Sequence, residues 1–240
     1  AKEDPVARDR FLNIMATQAD RMARLIDDLL SLSRIELNEH IAPDGCIDLT
    51  QAVSDVIDAL APLSAETRVQ IQTAMPPRGE ALVIGDRDQI VQVVQNLIDN
   101  AVKYSRGRDG SVSGSVIVEC GVGVSGDAAL ALRKPSASRL SLLTPDQTGE
   151  EIYVYLRIND SGPGIKREYL PRLAERFYRV EGQKSGERSG TGLGLAIVKH
   201  IMNRHRGGLA VESLEGEGAA FIVYFPIHSK ALAVRQARAV

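Results

Sequence analysis

The chain contains 240 residues, enough for one large domain or for one domain with an appendage. Hydrophobic residues make up 44% of it and aromatic residues only 4%, without tryptophan, so Leu, Val, Ile and Ala must fill the core. The net charge of -2, with no basic stripe, argues against a nucleic-acid-binding protein, and no apolar run reaches the roughly 18 residues of a membrane span.

The first predicted element is a long helix that begins at Asp4 and Pro5, a favoured cap and a residue tolerated at the first helical position. Four- and three-residue steps, interrupted only by Gln18, separate its apolar residues, namely Phe11, Met15, Met22, Leu25, Leu29 and Leu32. This heptad pattern predicts a bundle helix, which needs a partner helix from another segment or a second subunit. The charged first residues predict an internal fragment whose natural start is missing.

A turn signal at Pro43, Asp44 and Gly45 divides a helical unit, residues 1–43, from a domain of residues 44–228. In the domain, a short strand near residues 46–49 precedes a helix of about 14 residues, and two alternating stretches predict further strands. Asp86 then caps a strongly periodic helix, with Gln89 in the position of a capping box. The separated cysteines Cys46 and Cys120 suggest a reducing compartment rather than a disulfide scaffold.

Strands and helices continue to the end of the predicted domain. Strands at 116–118 and 152–158 flank a polar stretch, 121–149, which we interpret as a mobile insertion because it exceeds hairpin length. A short helix, a charged loop, an amphipathic helix and two adjacent strands follow, and residues 229–240 are expected to fray. This order predicts an α+β two-layer sandwich, a mixed sheet covered on one face by helices, preceded by the long bundle helix.

Two asparagines, Asn96 and Asn100, project from one face of the capped helix because they are four residues apart. Their amide oxygens suit Mg²⁺ and their amide nitrogens can donate to phosphate. One turn further, Lys103 can pair with phosphate and Tyr104 can pack against a base or ribose. Taken singly, each of the four is more often a solvent-exposed surface residue.

Asp160 follows a predicted strand and precedes Gly162 and Gly164. Its carboxylate can accept the exocyclic amine of adenine and would be repelled by the carbonyl oxygen of guanine. The two glycines would let the backbone approach the ring. The alternative is an ordinary turn, because Asp, Ser, Gly and Pro are all turn residues.

A second glycine-rich turn opens the amphipathic helix and consists of Gly190, Thr191, Gly192, Leu193 and Gly194. Amides at a helix start favour phosphate. A dinucleotide fingerprint is the rival, supported by Glu212 about twenty residues on, but opposed by Leu195 where a third glycine is expected. The preceding loop carries Lys184 and Arg188, which could close over a nucleotide or remain solvated loop charges.

Four segments resemble, in this order, the N, G1, F and G2 boxes of the sensor histidine kinase catalytic domain. They are the Asn helix, the Asp160 turn, the sequence Arg-Phe-Tyr-Arg at 176–179 and the second glycine turn. That domain shares its ATP-binding fold with Hsp90, DNA gyrase and MutL. The resemblance covers residues 44–228 and looks closest to phosphate-regulon sensor kinases. The long helix at 1–43 looks like the second helix of the dimerisation and phosphotransfer hairpin.

The resemblance implies Mg-ATP as the cofactor, with Asn100 on Mg²⁺ and Asn96 on phosphate. Lys103, Tyr104, Asp160 and Gly162 would line the nucleotide, and the catalytic Arg188 would join the second glycine turn around the phosphates. It further implies phosphoryl transfer to a histidine and then to an aspartate of a response regulator, in a homodimer formed through hairpin helices. The chain would then be the cytoplasmic portion of a membrane-anchored bacterial sensor, with membrane contact only through preceding segments.

Departures from the family pattern leave alternatives open. None of the histidines, His40, His200, His205 and His228, has the family's His-Glu/Asp-Leu-Arg-Thr-Pro setting, so the acceptor helix is expected to be missing. An ATP-hydrolysing clamp of the gyrase or MutL type remains an alternative. Those proteins use a glutamate as the general base that activates water, and this chain has Gln95 at that position. A dimerising scaffold without nucleotide use is another.

Overall fold

The computed structural model of the chain describes residues 5–105, 114–124, 136–144, 152–180 and 190–238. Its helices are α1 (Pro5–Leu37), α2 (Leu49–Thr67), α3 (Arg87–Tyr104), a 3-10 helix (Arg167–Arg172), α4 (Gly194–Arg204) and α5 (Ser229–Arg238). Its strands are β1 (Cys46–Asp48), β2 (Gln70–Ala74), β3 (Leu82–Ile84), β4 (Ser115–Val124), β5 (Ser138–Leu143), β6 (Ile152–Asp160), β7 (Gly208–Leu214) and β8 (Gly218–Pro226).

The six-stranded sheet is mixed and has the order β2-β4-β6-β8-β7-β5. β2 and β4 are parallel, while all other neighbours in this sheet are antiparallel. β1 and β3 form a small antiparallel sheet of their own, joined to the end of β8 through a bridge between Val83 and Ile227. The predicted α+β fold with a mixed sheet and one long preceding helix is confirmed.

Alternation along the strands separates two apolar layers. In β8, Phe221, Val223 and Phe225 belong to the large core that includes the buried faces of α2, α3 and α4. Ile222 and Tyr224 point to the opposite side of the sheet and pack in a smaller cluster with Tyr153 and Tyr155. The helices therefore cover one face of the sheet, and α3, whose apolar residues are fully buried there, holds its polar face in a fixed orientation.

The opposite face of the sheet contains a buried ion pair. Arg157 Nη1 lies 3.0 Å from Glu212 Oε2, and both side chains are almost completely buried. Arg157 Nε also lies 3.6 Å from Glu119 Oε2. Glu212 is thus engaged on the sheet face away from the helices, which removes the support that its position lent to the dinucleotide alternative.

Helix α1 presents two different faces. Leu32 and Ile35 are buried and Leu25 is half-buried against the domain, where α1 contacts α4. The other face leaves large apolar side chains exposed, including Phe11, Leu12, Met15, Met22, Ile26 and Leu29. The predicted single stripe is therefore divided, because Leu25 and Leu32 face the domain rather than a partner helix.

Asp86 caps α3 as predicted, and a histidine completes the junction. The Asp86 side chain accepts hydrogen bonds from the backbone N–H groups of Asp88 and Gln89 at 3.0 and 3.2 Å. The reciprocal capping-box bond is absent, because the Asp86 N–H donates instead to Nε2 of His205 at 3.1 Å. His205 Nδ1 lies 2.8 Å from the Ile201 carbonyl, so the neutral ring bonds to both α3 and α4. Burial lowers the pKa of His205.

Two segments that are expected to be irregular contain regular structure, while residues 125–135 and 145–149 of the predicted insertion lie outside the described residues. Within 121–149, β4 continues to Val124, and residues 138–143 form edge strand β5, which pairs with β7. Leu140 and Leu142 pack against the core, while Arg139 donates to the Tyr224 hydroxyl at 2.9 Å, so a side-chain alternation holds this strand in place. The expected frayed tail instead begins with α5, which contacts β3 and buries Ala231 completely.

Both cysteines are free, Cys46 at the surface and Cys120 in the core. Burial raises the pKa of the Cys120 thiol to about 12, so it stays protonated. Among the described residues, no helix combines the length and apolarity that a bilayer crossing requires.

Candidate nucleotide site

A cavity of about 350 Å³ lies between α1, α3, the turn after β6 and the turn before α4. The three predicted segments meet there, and the predicted residues that line it are Asn96, Asn100, Lys103, Tyr104, Asp160, Gly164, Gly190, Thr191, Gly192 and Gly194. Its volume is in the range of small-molecule sites, roughly 300–1,000 Å³. Segments that lie between residues 96 and 194 of the sequence therefore share one concave surface.

Two predicted residues that the structure describes do not line the cavity, and two others lie outside the described residues. Gly162 lies directly behind its wall, in a hydrogen bond with Asp160. Leu193 is fully buried immediately before α4. Lys184 and Arg188, with the flap predicted around them, lie outside the described residues.

Asp160, the last residue of β6, is 5% exposed and holds its own turn together. Its Oδ1 accepts hydrogen bonds from the backbone N–H groups of Gly162 at 2.8 Å and Ala219 at 3.2 Å. No described residue donates to Oδ2, so this oxygen remains as an acceptor for a ligand in the cavity. Burial raises the pKa of Asp160 to about 6, and the two backbone hydrogen bonds only partly oppose it.

The glycines after Asp160 are required by close backbone approaches. A Cβ on Gly162 would lie 2.4 Å from the Tyr104 carbonyl oxygen, so the turn packs directly on the end of α3. Gly164 has a φ of 70°, and a Cβ there would lie 2.2 Å from the Leu214 carbonyl oxygen. These contacts fix the distance between the Asp160 carboxylate and the polar face of α3.

The polar face of α3 carries Asn96 and Asn100, both half-buried. Asn96 Nδ2 donates to the Gln92 carbonyl at 2.9 Å, and its Oδ1 lies against Gly194. Asn100 makes no hydrogen bond to any described residue, so its amide is available to a ligand. Lys103 pairs with Asp99 one turn earlier. Burial raises the pKa of Tyr104, Arg179 opposes this shift and Asp99 adds to it.

The second glycine turn places the start of α4 at the cavity. Gly192 has a φ of 78°, and its carbonyl accepts the Phe177 N–H at 2.9 Å, which joins this turn to the Arg-Phe-Tyr-Arg segment. Leu193, at the N-cap, makes no side-chain cap hydrogen bond, while its backbone N–H donates to the Thr191 hydroxyl at 3.2 Å. The first amides of the 11-residue helix therefore favour an anion at this end of the cavity.

Sequence reasoning missed several residues that line the same cavity. Gln92, Gln95 and Asp99 share the exposed face of α3 with the asparagines, and their three- and four-residue spacing could have indicated them. Arg21, Arg24 and Asp28 come from α1, and nothing in the local sequence indicates that this helix reaches the cavity. Ile165, Leu173 and Phe221 supply apolar wall beside Asp160.

The donor set of the cavity fits a magnesium nucleotide. Asp160 Oδ2 and the apolar wall suit a purine with an amino group, and the α4 amides suit phosphate. Among the described residues, no group of three His, Cys, Asp or Glu side chains could hold a metal alone. A metal that arrives with phosphate oxygens and meets the neutral Asn100 amide requires no such group.

The raised pKa of Asp160 gives a pH-dependent expectation. The affinity for adenosine, which has no phosphate to titrate, should fall by up to about tenfold per pH unit below the pKa of about 6, because protonation removes the charge-assisted acceptor. NMR titrations with adenosine between about pH 8 and pH 5 would measure it. An Asp160→Asn variant should show no such slope, and an equal slope in both proteins would contradict the assignment.

Comparison with known families supports this geometry. Residues 85–229 match the family described as histidine kinase-, DNA gyrase B- and HSP90-like ATPases. The matched region contains both glycine turns and the Asn helix.

Individual relatives are sensor kinases. The chain is 30% identical over 217 residues to the sensor histidine kinase WalK of Bacillus subtilis, covering 90% of the chain and 30% of WalK. It is 29% identical over 229 residues to the phosphate regulon sensor protein PhoR of Pseudomonas aeruginosa, covering 95% of the chain and 44% of PhoR. The chain thus spans less than half the length of these two relatives.

Among solved structures, full-length ShkA in complex with AMPPNP superposes with a TM-score of 0.64 at 21% sequence identity. The superposition covers 91% of the chain and 38% of ShkA. At this identity the similarity supports the fold alone.

Proposed function

Because the chain belongs to the family of histidine kinase-, DNA gyrase B- and HSP90-like ATPases, we propose that it binds Mg-ATP and supplies the catalytic half of a sensor histidine kinase. The γ-phosphoryl group of ATP would pass to a histidine and then to an aspartate of a response regulator. The observation that carries the proposal is the shared cavity, in which the free Asp160 oxygen, the Asn pair and the start of α4 face one another.

Asp160 would select adenine. Its Oδ1 is engaged by two backbone amides, so Oδ2 is the oxygen that can accept the exocyclic amine of the base. Ile165, Leu173 and Phe221 would exclude water around the ring. Gly162 and Gly164 hold the carboxylate at this end by the close approaches already described.

The phosphates would lie at the other end, against the turn before α4. Its backbone amides would donate to phosphate oxygens, and the turn consists of Gly190, Thr191, Gly192, Leu193 and Gly194. Asn96 is placed beside Gly194 by their direct contact. Lys184 and the catalytic Arg188 remain our candidates for cations that close over the phosphates.

Phosphoryl transfer depends mainly on orientation and charge neutralisation, which this chain can supply without a strong base. ATP would bring the reactive phosphoryl group, and Mg²⁺ bound with it near Asn100 would neutralise charge. Gln95 is exposed and neutral at the position from which a hydrolytic glutamate would activate water. This favours transfer to a protein side chain over the alternative of ATP hydrolysis by a gyrase-like clamp.

The acceptor histidine and the dimer are further parts of the proposal. None of His40, His200, His205 and His228 has the acceptor setting, and His205 is committed to two hydrogen bonds in the core. We place the acceptor on another segment that packs with α1. The exposed apolar face of α1 would contact that segment and the second subunit.

Nucleotide binding tests the core of the proposal. We expect the unaltered chain to bind a nonhydrolysable ATP analogue in calorimetry and to melt at a higher temperature in its presence. Incubation with γ-labelled ATP should leave no acid-labile phosphohistidine on the chain. Absence of binding would support the scaffold alternative, and steady release of phosphate from ATP would support the clamp.

Magnesium dependence tests the role of Asn100. In the unaltered chain Mg²⁺ should tighten binding of the ATP analogue, and Asn100→Ala should lose most of that gain, about tenfold or more, because the amide ligand is removed. Asn38→Ala removes the same group from the exposed segment after α1 and should retain the gain. An undiminished Mg²⁺ effect in Asn100→Ala would exclude Asn100 as the ligand.

A further inference from the structure

Helix α1 forms one wall of the nucleotide cavity. Arg21, Arg24 and Asp28 are spaced by three and four residues, lie on one face of α1 and all line the cavity. Leu25 and Leu32, half-buried and buried in the domain core, hold this face against the domain. The wall is therefore part of the packed structure and not a loose approach of a surface helix.

The two arginines bring positive charge that the described residues do not neutralise. Arg21 forms no ion pair or hydrogen bond within the described part of the chain, and Arg24 donates only from Nε to the Asp20 carbonyl of its own helix, at 3.2 Å. Lys103, by contrast, is already paired with Asp99. Two guanidinium groups beside an anion-favouring helix start are suited to phosphate, which they can bind with two parallel hydrogen bonds.

Asp28 determines which end of the cavity the arginines occupy. Its Oδ2 accepts a hydrogen bond from the Thr191 hydroxyl at 2.6 Å, and Thr191 in turn accepts the Leu193 N–H. Asp28 lies one helical turn after Arg24, but its carboxylate bonds to Thr191 while Arg24 donates to the Asp20 carbonyl, and the two side chains form no ion pair with each other. The carboxylate thus joins α1 to the glycine turn, at the end of the cavity opposite Asp160.

We propose that Arg21 and Arg24 bind the terminal phosphates of the nucleotide, and that Asp28 is a positioning residue that holds α1 on the Thr191 turn. The inference rests on the proposed nucleotide function and extends the site to a helix outside the region matched by the ATPase family, residues 85–229. Bound nucleotide and the position of α1 are then coupled, because the same helix face contacts both the phosphates and the turn.

The test compares ligands that differ in phosphate number. In calorimetry on the full chain, Arg21→Ala with Arg24→Ala should lower the affinity for the ATP analogue by about a hundredfold, from about tenfold for each lost charged contact. The affinity for AMP should be unchanged. Alanine is the best helix former, so circular dichroism should show an intact α1. Arg10→Ala removes an exposed arginine from the same helix and should bind both ligands like the unaltered chain.

A second variant addresses the positioning role. Asp28→Ala should weaken analogue binding less than the double arginine variant and should speed proteolysis or hydrogen exchange in α1, whereas Asp28→Asn, which keeps an acceptor for Thr191, should restore protection. Equal affinity of the double arginine variant and the unaltered chain for the ATP analogue would overturn this inference alone. No nucleotide binding by the unaltered chain would overturn the proposed function and this inference with it.

Discussion

Replacing Asp160 with asparagine is expected to lower the affinity for adenosine nucleotides by about tenfold to a hundredfold and to leave the fold intact. The amide oxygen can still accept the backbone N–H groups of Gly162 and Ala219, as Oδ1 does now. The new NH₂ group takes the place of Oδ2 and meets the amine of adenine donor to donor. Calorimetric titration with ADP at about pH 7.5, well above the pKa of about 6, measures the loss.

Two comparisons make the Asp160 result specific. Asp58→Asn makes the same change on the exposed face of α2 and should bind ADP normally. Guanosine nucleotides should bind Asp160→Asn no worse than the unaltered chain, because the amide can donate to the guanine carbonyl. Equal losses for adenine and guanine nucleotides would mean that residue 160 does not contact the base.

Asp160→Asn should weaken nucleotide binding but should not lower the stability of the fold at neutral pH. The pKa of Asp160 is raised from 3.8 to about 6, so folding favours the protonated acid, and this contribution is lost as the pH rises through about 6. Asp160→Asn carries no buried charge. Weaker binding without a lower melting temperature at neutral pH would therefore identify a residue whose ionisation opposes folding and favours the ligand.

Replacing Gly164 with alanine is expected to cost about 2–5 kcal/mol of unfolding free energy and to abolish nucleotide binding. The φ of 70° is unfavourable for a residue with a side chain, and the new Cβ would lie 2.2 Å from the Leu214 carbonyl oxygen. The turn must then move away from the end of β7, where the Ser213 hydroxyl also accepts the Ile165 N–H at 2.8 Å. Denaturant titration gives the free energy.

A second glycine separates strain from steric conflict. Gly79 has a φ of 84° with nothing within 4 Å of a Cβ, so Gly79→Ala should cost only about 1–2 kcal/mol from the backbone conformation. The difference between the two variants measures the contact with Leu214. If Gly164→Ala were no less stable than Gly79→Ala, the result would contradict the close contact between this turn and Leu214.

Local patterns were enough to predict the parts of the site that lie within single elements. Each of these signals spans only a few residues. They are the four-residue spacing of Asn96 and Asn100, the strand before Asp160 and the glycines before α4. Their union in one cavity followed from the resemblance to a known family. The order of the predicted helices and strands, with two adjacent strands at the end, was enough to predict the mixed sheet and its helical layer.

Long-range packing explains what the sequence did not reveal. Residues 139–142 alternate polar and apolar side chains, but the pattern is too short to indicate a strand by itself, and pairing with β7 fixes residues 138–143 as one. The heptad pattern of α1 predicts one stripe, although contact with α4 turns Leu32 inward and leaves Leu29 exposed. Asp28 and the arginines beside it gain their role only from that docking.

The buried ring of His205 makes the junction between α3 and α4 sensitive to acid. His205 Nε2 accepts the backbone N–H of Asp86 at the start of α3, and His205 Nδ1 donates to the Ile201 carbonyl near the end of α4. A second ring proton, on Nε2, would therefore point at the Asp86 N–H. The bonded, uncharged ring therefore contributes its full stabilisation above its ordinary pKa of 6.5, and this is lost as the pH falls through its lowered value. Loosening there would separate the helix that bears the amide pair from the one whose amides attract anions, so acidification would weaken the junction that holds the two sides of the cavity together.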